Sequence, residues 1–370
     1  MKILFLIHDL GQGGAEKVLV NLVNNMDRSK FDISVTALFG SGVNEQFLAP
    51  DIHFRTVFQK EIPGNSKLMK LLTPEQLHKL CIKEHYDIEI SFLEGPSARI
   101  ISGCKDANTK TVCWIHSTFA SLESCSTSFR SKKEAEQCYG SFDQIVCVSQ
   151  NVSLAFTNIF PACKAVSVLY NVVNSHAIIS QSSQPLEYPL AYSGEIVLIG
   201  IGTLKPVKAF DRLIHIHAKL RHENYPVHTY LLGRGPDLDK LKKLTEKCGV
   251  GNTFTFLGYD TNPYKYLSRS SIFVCSSISE GFSTAATEAL ILGVPVCTVE
   301  VSGMKEMLGE HDEYGIVTDN SEEALYQGIK RLLDDPALLA HYREKAAERG
   351  KLFSTEQTVR AVEELLLDLC

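Results

Sequence analysis

The sequence predicts an α/β protein made of two consecutive domains, each a parallel β-sheet covered by helices. The chain has 370 residues, whereas single domains cluster at about 100 to 200 residues. Short strand-like runs alternate with amphipathic stretches, which is the pattern of βαβ units. A segment rich in serine, glutamine and proline interrupts this alternation and is typical of a linker. We therefore expect a first domain over residues 1–174, a linker over 175–194, a second domain over 195–352 and a closing helical segment over 353–370.

The first domain begins with the apolar run KILFLI, which predicts a strand over residues 2–7. An amphipathic stretch at 15–26 predicts the helix that follows this strand. Further strands are predicted at 31–39, 86–93, 109–116, 143–149 and 165–171.

The second domain repeats this alternation from EIVLIGIG onwards. Its strands are predicted at 195–202, 227–233, 253–259, 271–277, 294–299 and 314–319. Its helices are predicted at 209–221, 237–248 and 283–293, followed by closing helical stretches at about 321–350 and 355–369.

Composition and charge exclude several classes of protein. Hydrophobic residues make up 44% and charged residues 22% of the chain, as in an ordinary globular protein. The net charge of −6 leaves no basic excess, so we expect no nucleic-acid partner. The eleven cysteines are scattered singly without a CxxC pair, which favours reduced structural thiols of a cytosolic protein over disulfides or a metal site.

The sequence predicts no membrane-spanning segment. The first apolar run ends at His8 and Asp9, too early for a signal-peptide core, and no stretch approaches about 18 uninterrupted apolar residues. The basic, partly apolar stretch NSKLMKLLTPEQLHKLCIK, residues 65–83, is either an ordinary amphipathic helix pair or a surface that lies on an anionic membrane. We expect a cytoplasmic protein that is at most peripheral on the cytoplasmic membrane face.

The segment SEGFSTAATEALILGVPV, residues 279–296, carries the clearest signal of a ligand site. It leads from a predicted strand into a helix whose first turn Ser283 can cap. The free amides and positive dipole end of such a helix suit a diphosphate, and Gly281 lets the backbone approach it. Glu280 and Glu288 can contact sugar hydroxyls. The alternative is that Glu280 only interacts with the helix dipole at the first turn and that Glu288 is a solvated helix residue.

The loop GTLKPVKAFDRLI, residues 202–214, is a second candidate. Lys205 and Lys208 precede a helix start, where the macrodipole disfavours cations unless an anion lies between them. A diphosphate would supply that anion, although two solvated lysines on a loop are an equal alternative. Because ligands bind at the carboxyl ends of parallel strands, the two predicted sheets place this loop at a cleft between the domains.

Two features of the first domain are weaker candidates. The glycine-rich turn GQGGAEKVLVNL, residues 11–22, admits a phosphate or a polar substrate close to the backbone. A dinucleotide fingerprint is disfavoured because Glu16 stands at the third glycine position and no acidic residue ends the second strand. His116 ends a predicted strand and is a candidate for chemistry, although a lone histidine is more often structural.

Taken together, these segments resemble family 4 of the retaining glycosyltransferases, which have the GT-B fold of two Rossmann-like domains facing across a cleft. The resemblance covers nearly the whole chain and rests on GGAEKVLVNL, WIHS, VCVSQ, LYNVV, LLGRGP, FLGY and, above all, the Glu-x7-Glu pattern in SEGFSTAATEAL. The stretch FLEGPSARII followed by WIHS is similar to members that build capsule and exopolysaccharide. The resemblance also implies that the closing helix packs back towards the first domain.

The resemblance implies roles for individual residues. Glu288 corresponds to the glutamate that binds the donor ribose, and Glu280 to the one that holds the transferred sugar. His116 corresponds to a histidine that projects towards the reaction centre. The other donor-side candidates are Gly14, Thr203, Lys205, Lys208, Arg234, Gly281, Phe282, Ser283 and Tyr259, the last as a contact to the nucleotide base. The acceptor-side residues are Gly13, Gly14 and Glu16.

One departure from the family pattern concerns the leaving group. Family members place an arginine and a lysine on the diphosphate. The lysine matches Lys208, whereas Thr203 stands at the arginine position, and Lys205 or Arg234 is a candidate substitute.

We therefore expect a retaining transfer of a hexose or N-acetylhexosamine from an NDP-sugar, by resemblance a UDP-sugar, to a lipid-linked or oligosaccharide acceptor in surface polysaccharide synthesis. No DxD-like acidic triplet lies in a loop, which predicts a metal-independent reaction, and we expect no cofactor. A nucleotide-sugar epimerase, a glycogen-phosphorylase-like enzyme and a non-catalytic sugar-binding protein are the alternatives.

Overall fold

The protein is divided into two compact α/β units. A computed structural model describes residues 1–40, 42–60, 69–163, 165–186, 190 and 194–369. One unit consists of Met1–Val172 together with Glu356–Cys370, and the other of Val173–Thr355. Each unit contains one parallel sheet with helices, which confirms the predicted fold class.

The first unit is built on a seven-stranded parallel sheet. Its strands are β1 Lys2–Ile7, β2 Asp32–Phe39, β3 His53–Phe58, β4 Ile88–Ser91, β5 Lys110–Ile115, β6 Gln144–Cys147 and β7 Val166–Val168. They are hydrogen-bonded in the order β3-β2-β1-β4-β5-β6-β7, so the topological switch point lies between β1 and β4. The helices of this unit are α1 Gly14–Asn25, α2 Pro74–Cys81, α3 Pro96–Ile101, α4 Leu122–Cys125, α5 Lys132–Tyr139, α6 Gln150–Ile159 and the closing helix Thr355–Asp368, which belongs to it from Glu356 onwards.

The second unit is built on a six-stranded parallel sheet. Its strands are β8 Ile196–Ile201, β9 Val227–Leu232, β10 Phe254–Gly258, β11 Ile272–Cys275, β12 Val296–Val299 and β13 Ile316–Thr318. The order β10-β9-β8-β11-β12-β13 makes β8 and β11 neighbours at the switch point. Its helices are α7 Ser175–Ser182, α8 Phe210–His222, α9 Leu238–Lys247, α10 Tyr264–Leu267, α11 Thr284–Ile291, α12 Met304–Leu308, α13 Glu322–Asp334 and α14 Pro336–Gly350.

The inner strands have near-continuous apolar sequence because helices cover both faces of a parallel sheet. In β1, all residues from Ile3 to Ile7 are fully buried. The sequence did not predict β3, an edge strand whose residues are only partly buried. Its run HFRTVF mixes polar and apolar residues accordingly, so it lacks the apolar pattern of its neighbours.

The segment expected to be a linker contains a helix. The side chain of Asn174 caps α7 by accepting a hydrogen bond from Ala177 N at 2.9 Å. Ile178 of this helix is buried against Val173 and Tyr264 within the second unit. Hydrogen bonding and burial thus stabilise a helix in a serine-rich segment whose composition suggested none. Residues 187–189 and 191–193 of the segment lie outside the described part of the chain.

The predicted helical stretch at 321–350 is two helices. Asp335 separates α13 from α14 and accepts hydrogen bonds from Ala337 N and Leu338 N, each at 3.0 Å. Pro336 occupies the first position of α14, where its missing N–H leaves no hydrogen bond unmade.

None of the helices in the described ranges is both long and apolar enough to cross a bilayer. Of the basic stretch at 65–83, residues 65–68 lie outside these ranges. The remainder contains α2, and Leu71 and Leu80 beside and within it are exposed.

Candidate functional site

The two candidate loops of the second unit meet at its topological switch point. They leave the adjacent strands β8 and β11. Ile278 N donates a hydrogen bond to Val207 O at 2.8 Å, and Ser276 Oγ donates to Lys208 O at 2.9 Å. We call residues 202–209 and 275–284 the strand-end site.

An ion pair lies at the centre of the strand-end site. Lys208 Nζ is 2.6 Å from Glu280 Oε1, and the two side chains are 25% and 11% exposed. Buried Ser277 donates a hydrogen bond to the same oxygen at 2.6 Å. Burial alone would lower the pKa of Lys208, but the charge and hydrogen bond of Glu280 outweigh burial and raise this pKa above its ordinary value. The Lys208 amine is therefore protonated at neutral pH, and the anion beside it in this structure is the Glu280 carboxylate.

Backbone conformation positions Lys208. It ends a single 3₁₀ turn, Pro206–Lys208, and is followed by Ala209 in the left-handed conformation at φ 46°. An L-residue with a side chain costs about 1 to 2 kcal/mol in this region, so the loop stores backbone strain. The lysine side chain lies beside Gly202, where a Cβ would be 3.5 Å from Lys208 Cε.

The other two residues predicted on this loop lie at its start. Thr203 is partly buried, and its carbonyl oxygen accepts a hydrogen bond from Lys205 N at 2.8 Å. The side chain of Lys205 is exposed. The two predicted lysines therefore differ, since Lys208 has a carboxylate partner and Lys205 faces solvent.

The loop from Glu280 to Ser283 is packed tightly. Ser283 Oγ accepts a hydrogen bond from a first-turn amide of α11 at 3.3 Å, which caps that helix. Gly303 has φ 80°, and a Cβ at this position would lie only 2.9 Å from the carbonyl oxygen of Gly281. Phe282 is 5% exposed, so its side chain belongs to the core and only its backbone can face a ligand.

Glu288 is a buried carboxylate. Its residue exposure is 3%, and Tyr264 OH donates a hydrogen bond to Oε1 at 3.3 Å. The alternative of a solvated helix residue is therefore wrong. Tyr264 was not predicted, because it lies outside the motifs of the sequence and reaches Glu288 only through the tertiary fold.

Arg234 and Tyr259 follow neighbouring strands, β9 and β10, and contact each other. The guanidinium carbon lies 4.9 Å from the centroid of the tyrosine ring, which is a cation–π contact on an exposed surface. Gly233 has φ 144°, and a Cβ there would overlap Gly202 O at the end of β8. This close approach brings the loop after β9 alongside the start of the strand-end site.

The candidate residues of the first unit lie at the carboxyl ends of β1 and β5. His116 directly follows β5, and its Nε2 is buried without a hydrogen-bond partner among the described residues. Burial lowers the pKa of His116 to about 3, so its imidazole is neutral. Gly13 and Gly14 begin α1 with no side-chain cap, and Glu16 lies in the first turn of that helix.

Family comparison covers both units. Residues 12–176 match the family described as Glycosyltransferase Family 4, and residues 187–350 match Glycosyl transferases group 1. The fold and these two matches define a glycosyltransferase of the GT-B fold. The chain belongs to glycosyltransferase family 4.

Individual relatives are similar along much of the chain. A Campylobacter jejuni N-acetylgalactosamine-N,N'-diacetylbacillosaminyl-diphospho-undecaprenol 4-alpha-N-acetylgalactosaminyltransferase is 28% identical over 98% of both chains. The O-antigen chain mannosyltransferase B of Escherichia coli is 32% identical over 47% of each chain. The solved structure of Anabaena Alr3699/HepE in complex with UDP has a TM-score of 0.78 and 21% identity, with all of both chains covered.

Proposed function

We propose that this glycosyltransferase performs a retaining, metal-independent transfer of a hexose or N-acetylhexosamine from a UDP-sugar to a lipid-linked or oligosaccharide acceptor in surface polysaccharide synthesis. The observation that carries the proposal is the part-buried Lys208–Glu280 ion pair on two loops at the switch point of a parallel sheet. The Campylobacter relative is named for a diphospho-undecaprenol acceptor, and Alr3699/HepE was solved with UDP. A lipid-linked acceptor also supports a location on the cytoplasmic membrane face.

The donor diphosphate takes the place of Glu280 as the partner of Lys208. The ammonium and the first amides of α11 then stabilise the charge that develops on the leaving diphosphate. Glu280, released from the lysine, accepts hydrogen bonds from hydroxyls of the transferred sugar. Glu288, positioned by Tyr264, binds the ribose hydroxyls.

Retention follows if the acceptor attacks the face from which the diphosphate leaves. The bond between the anomeric carbon and the phosphate oxygen breaks, the bond to the acceptor oxygen forms, and the acceptor proton passes to the departing phosphate. This route needs no enzyme nucleophile. The neutral His116 ring can hydrogen-bond to a sugar but adds no positive charge to the reaction.

The test is a transfer assay with the purified full chain. Calorimetry against nucleoside diphosphates selects the base. Candidate NDP-sugars are then incubated with lipid-linked and oligosaccharide acceptors, and products are identified by mass spectrometry and NMR. We expect an α-linked product from an α-linked donor and no stimulation by Mg²⁺ or Mn²⁺. A new sugar formed from donor alone would show an epimerase, and intact donor with every acceptor would favour a binding protein.

A further inference from the structure

Three potential metal ligands converge in the first unit. Glu89 lies on the inner strand β4 between β1 and β5, with its side chain 3% exposed. His78 of α2 places Nε2 at 2.6 Å from Glu89 Oε2. Cys104 follows α3, and the ligand atoms of the three residues lie within 4.8 Å of one another.

The burial of Glu89 calls for a compensating positive charge. An ionised carboxylate removed from water is unfavourable by several kcal/mol unless a cation or strong donors lie beside it. In the described part of the chain no lysine or arginine forms an ion pair with Glu89, whose one such partner is His78. A protonated imidazole or a bound cation at this place would supply that positive charge.

We propose that His78, Glu89 and Cys104 form a zinc site. One nitrogen, one carboxylate oxygen and one sulfur are the donor set that Zn²⁺ prefers, and three protein ligands leave the fourth tetrahedral position for water. The His78 side chain is 15% exposed and Cys104 is partly buried, so one side of the cluster is open to solvent. Binding converts the Cys104 thiol to a thiolate and releases its proton, and it releases the imidazole proton if His78 carries one.

This zinc ion has a linking role in the first unit, and no chemistry is proposed for its open fourth position. It joins α2, β4 and the segment after α3, three parts of the first unit that are separated in the sequence. Glu89 lies in the amino-terminal half of β4, whereas His116 and Gly13 follow the carboxyl ends of their strands. The site does not rest on the proposed function, and a zinc ion bound away from the strand ends is compatible with metal-independent transfer.

The experiment titrates the metal-free full chain with Co²⁺ and then Zn²⁺. We expect one equivalent of tetrahedral Co²⁺ with a thiolate-to-cobalt charge-transfer band, displaced by Zn²⁺, and a rise in Tm with Zn²⁺. Cys104→Ser removes the band and weakens Zn²⁺ binding by about tenfold or more. The matched control is Cys248→Ser, a partly buried cysteine of the second unit that should leave both unchanged.

Two results would overturn the zinc site. One is a wild-type cobalt spectrum without a thiolate-to-cobalt band. This result excludes Cys104 as a ligand even if Cys104→Ser fails to fold. The other is equal Zn²⁺ affinity in the wild type and Cys104→Ser. Nucleotide affinity is measured in parallel and should not differ between the two cysteine variants, so failure of the zinc site and failure of the transferase assignment are separate results.

Discussion

At the residue scale, Lys208 is the side chain on which the proposed chemistry depends. Its ammonium lies 2.6 Å from Glu280, whose charge raises the pKa of Lys208 and keeps it protonated before the donor binds. We expect Lys208→Ala to lower turnover at least about tenfold, equivalent to about 1.4 kcal/mol of transition-state stabilisation. Steady-state kinetics measure the effect.

The exposed Lys205 of the same loop is the comparison for this variant. Lys205→Ala should cost less, because its solvated charge interacts weakly with a nearby anion. Unchanged kinetics in Lys208→Ala, with the fold intact by circular dichroism, would remove Lys208 from the site.

The sequence predicted individual site residues better than their contacts. Lys208, Glu280 and Ser283 lie where strands lead into helices, and such positions can be recognised along the chain. The ion pair could not be derived from spacing, because it joins residues 72 positions apart and depends on β8 and β11 being neighbours. Ser277 was missed although it precedes Glu280 by three residues, because the sequence does not show that its hydroxyl points at the carboxylate.

At the element scale, the end of β9 packs against the end of β8 only because Gly233 lacks a side chain. A Cβ at Gly233 would overlap Gly202 O, and its φ of 144° disfavours any L-residue. We expect Gly233→Ala to lower the free energy of unfolding by about 2 kcal/mol or more and to weaken nucleotide binding.

Gly249 is the matched control for Gly233. It has φ 71°, but no atom lies within 4 Å of the position that a Cβ would take. Gly249→Ala should therefore cost only the backbone strain, about 1 kcal/mol. Equal losses in the two alanine variants by urea denaturation would contradict the steric argument.

The contacts of α8 with β9 and with the turn before β10 should depend on pH through His217. Its ring accepts or donates hydrogen bonds with Thr229 Oγ1 at 2.8 Å and Thr253 Oγ1 at 2.9 Å, and burial lowers its pKa from 6.5 to about 3. Between about pH 6.5 and 3, the unfolded state therefore binds a proton at His217 that the folded state does not bind. The contribution of His217 to stability is complete above about pH 6.5 and is lost as pH falls towards about 3, by at most about 1.4 kcal/mol per pH unit.

The measurement compares the wild type with His217→Gln by urea denaturation between about pH 7 and 5, followed by circular dichroism. Glutamine can hydrogen-bond but does not titrate, so the stability of the wild type should fall more steeply with acidification. His116, which also has a lowered pKa, is present in both proteins and does not affect the comparison. Parallel pH profiles would show that His217 does not carry this dependence.

At the scale of the whole molecule, alternation of strands and helices was sufficient to predict two parallel-sheet units. Every predicted strand overlaps an observed one, because buried parallel strands are apolar throughout. The strand order could not be derived in this way, since it depends on which sheet edge each crossover helix packs against. The alternation did not show the chain path either. The family resemblance alone implied that the closing helix returns, and from Glu356 onwards that helix belongs to the unit that contains the N-terminus.

Glu363 of the closing helix allows a test of whether that helix stabilises the first unit. Its carboxylate accepts a hydrogen bond from Asp27 N at 2.7 Å and lies 3.7 Å from Lys30 Nζ, with the side chain 11% exposed. Glu363→Ala leaves a backbone amide without this acceptor, so we expect the first unit to lose about 1 to 2 kcal/mol. The single tryptophan, Trp114, is buried in β5 of the same unit, and its fluorescence during urea denaturation therefore reports that loss. The neighbouring Glu364 is the control, because its side chain is 60% exposed and pairs with Arg360. Glu364→Ala should lower the free energy of unfolding by about 0.3 kcal/mol or less. Equal shifts of the fluorescence transition in the two variants would mean that the Glu363 contact does not stabilise the unit.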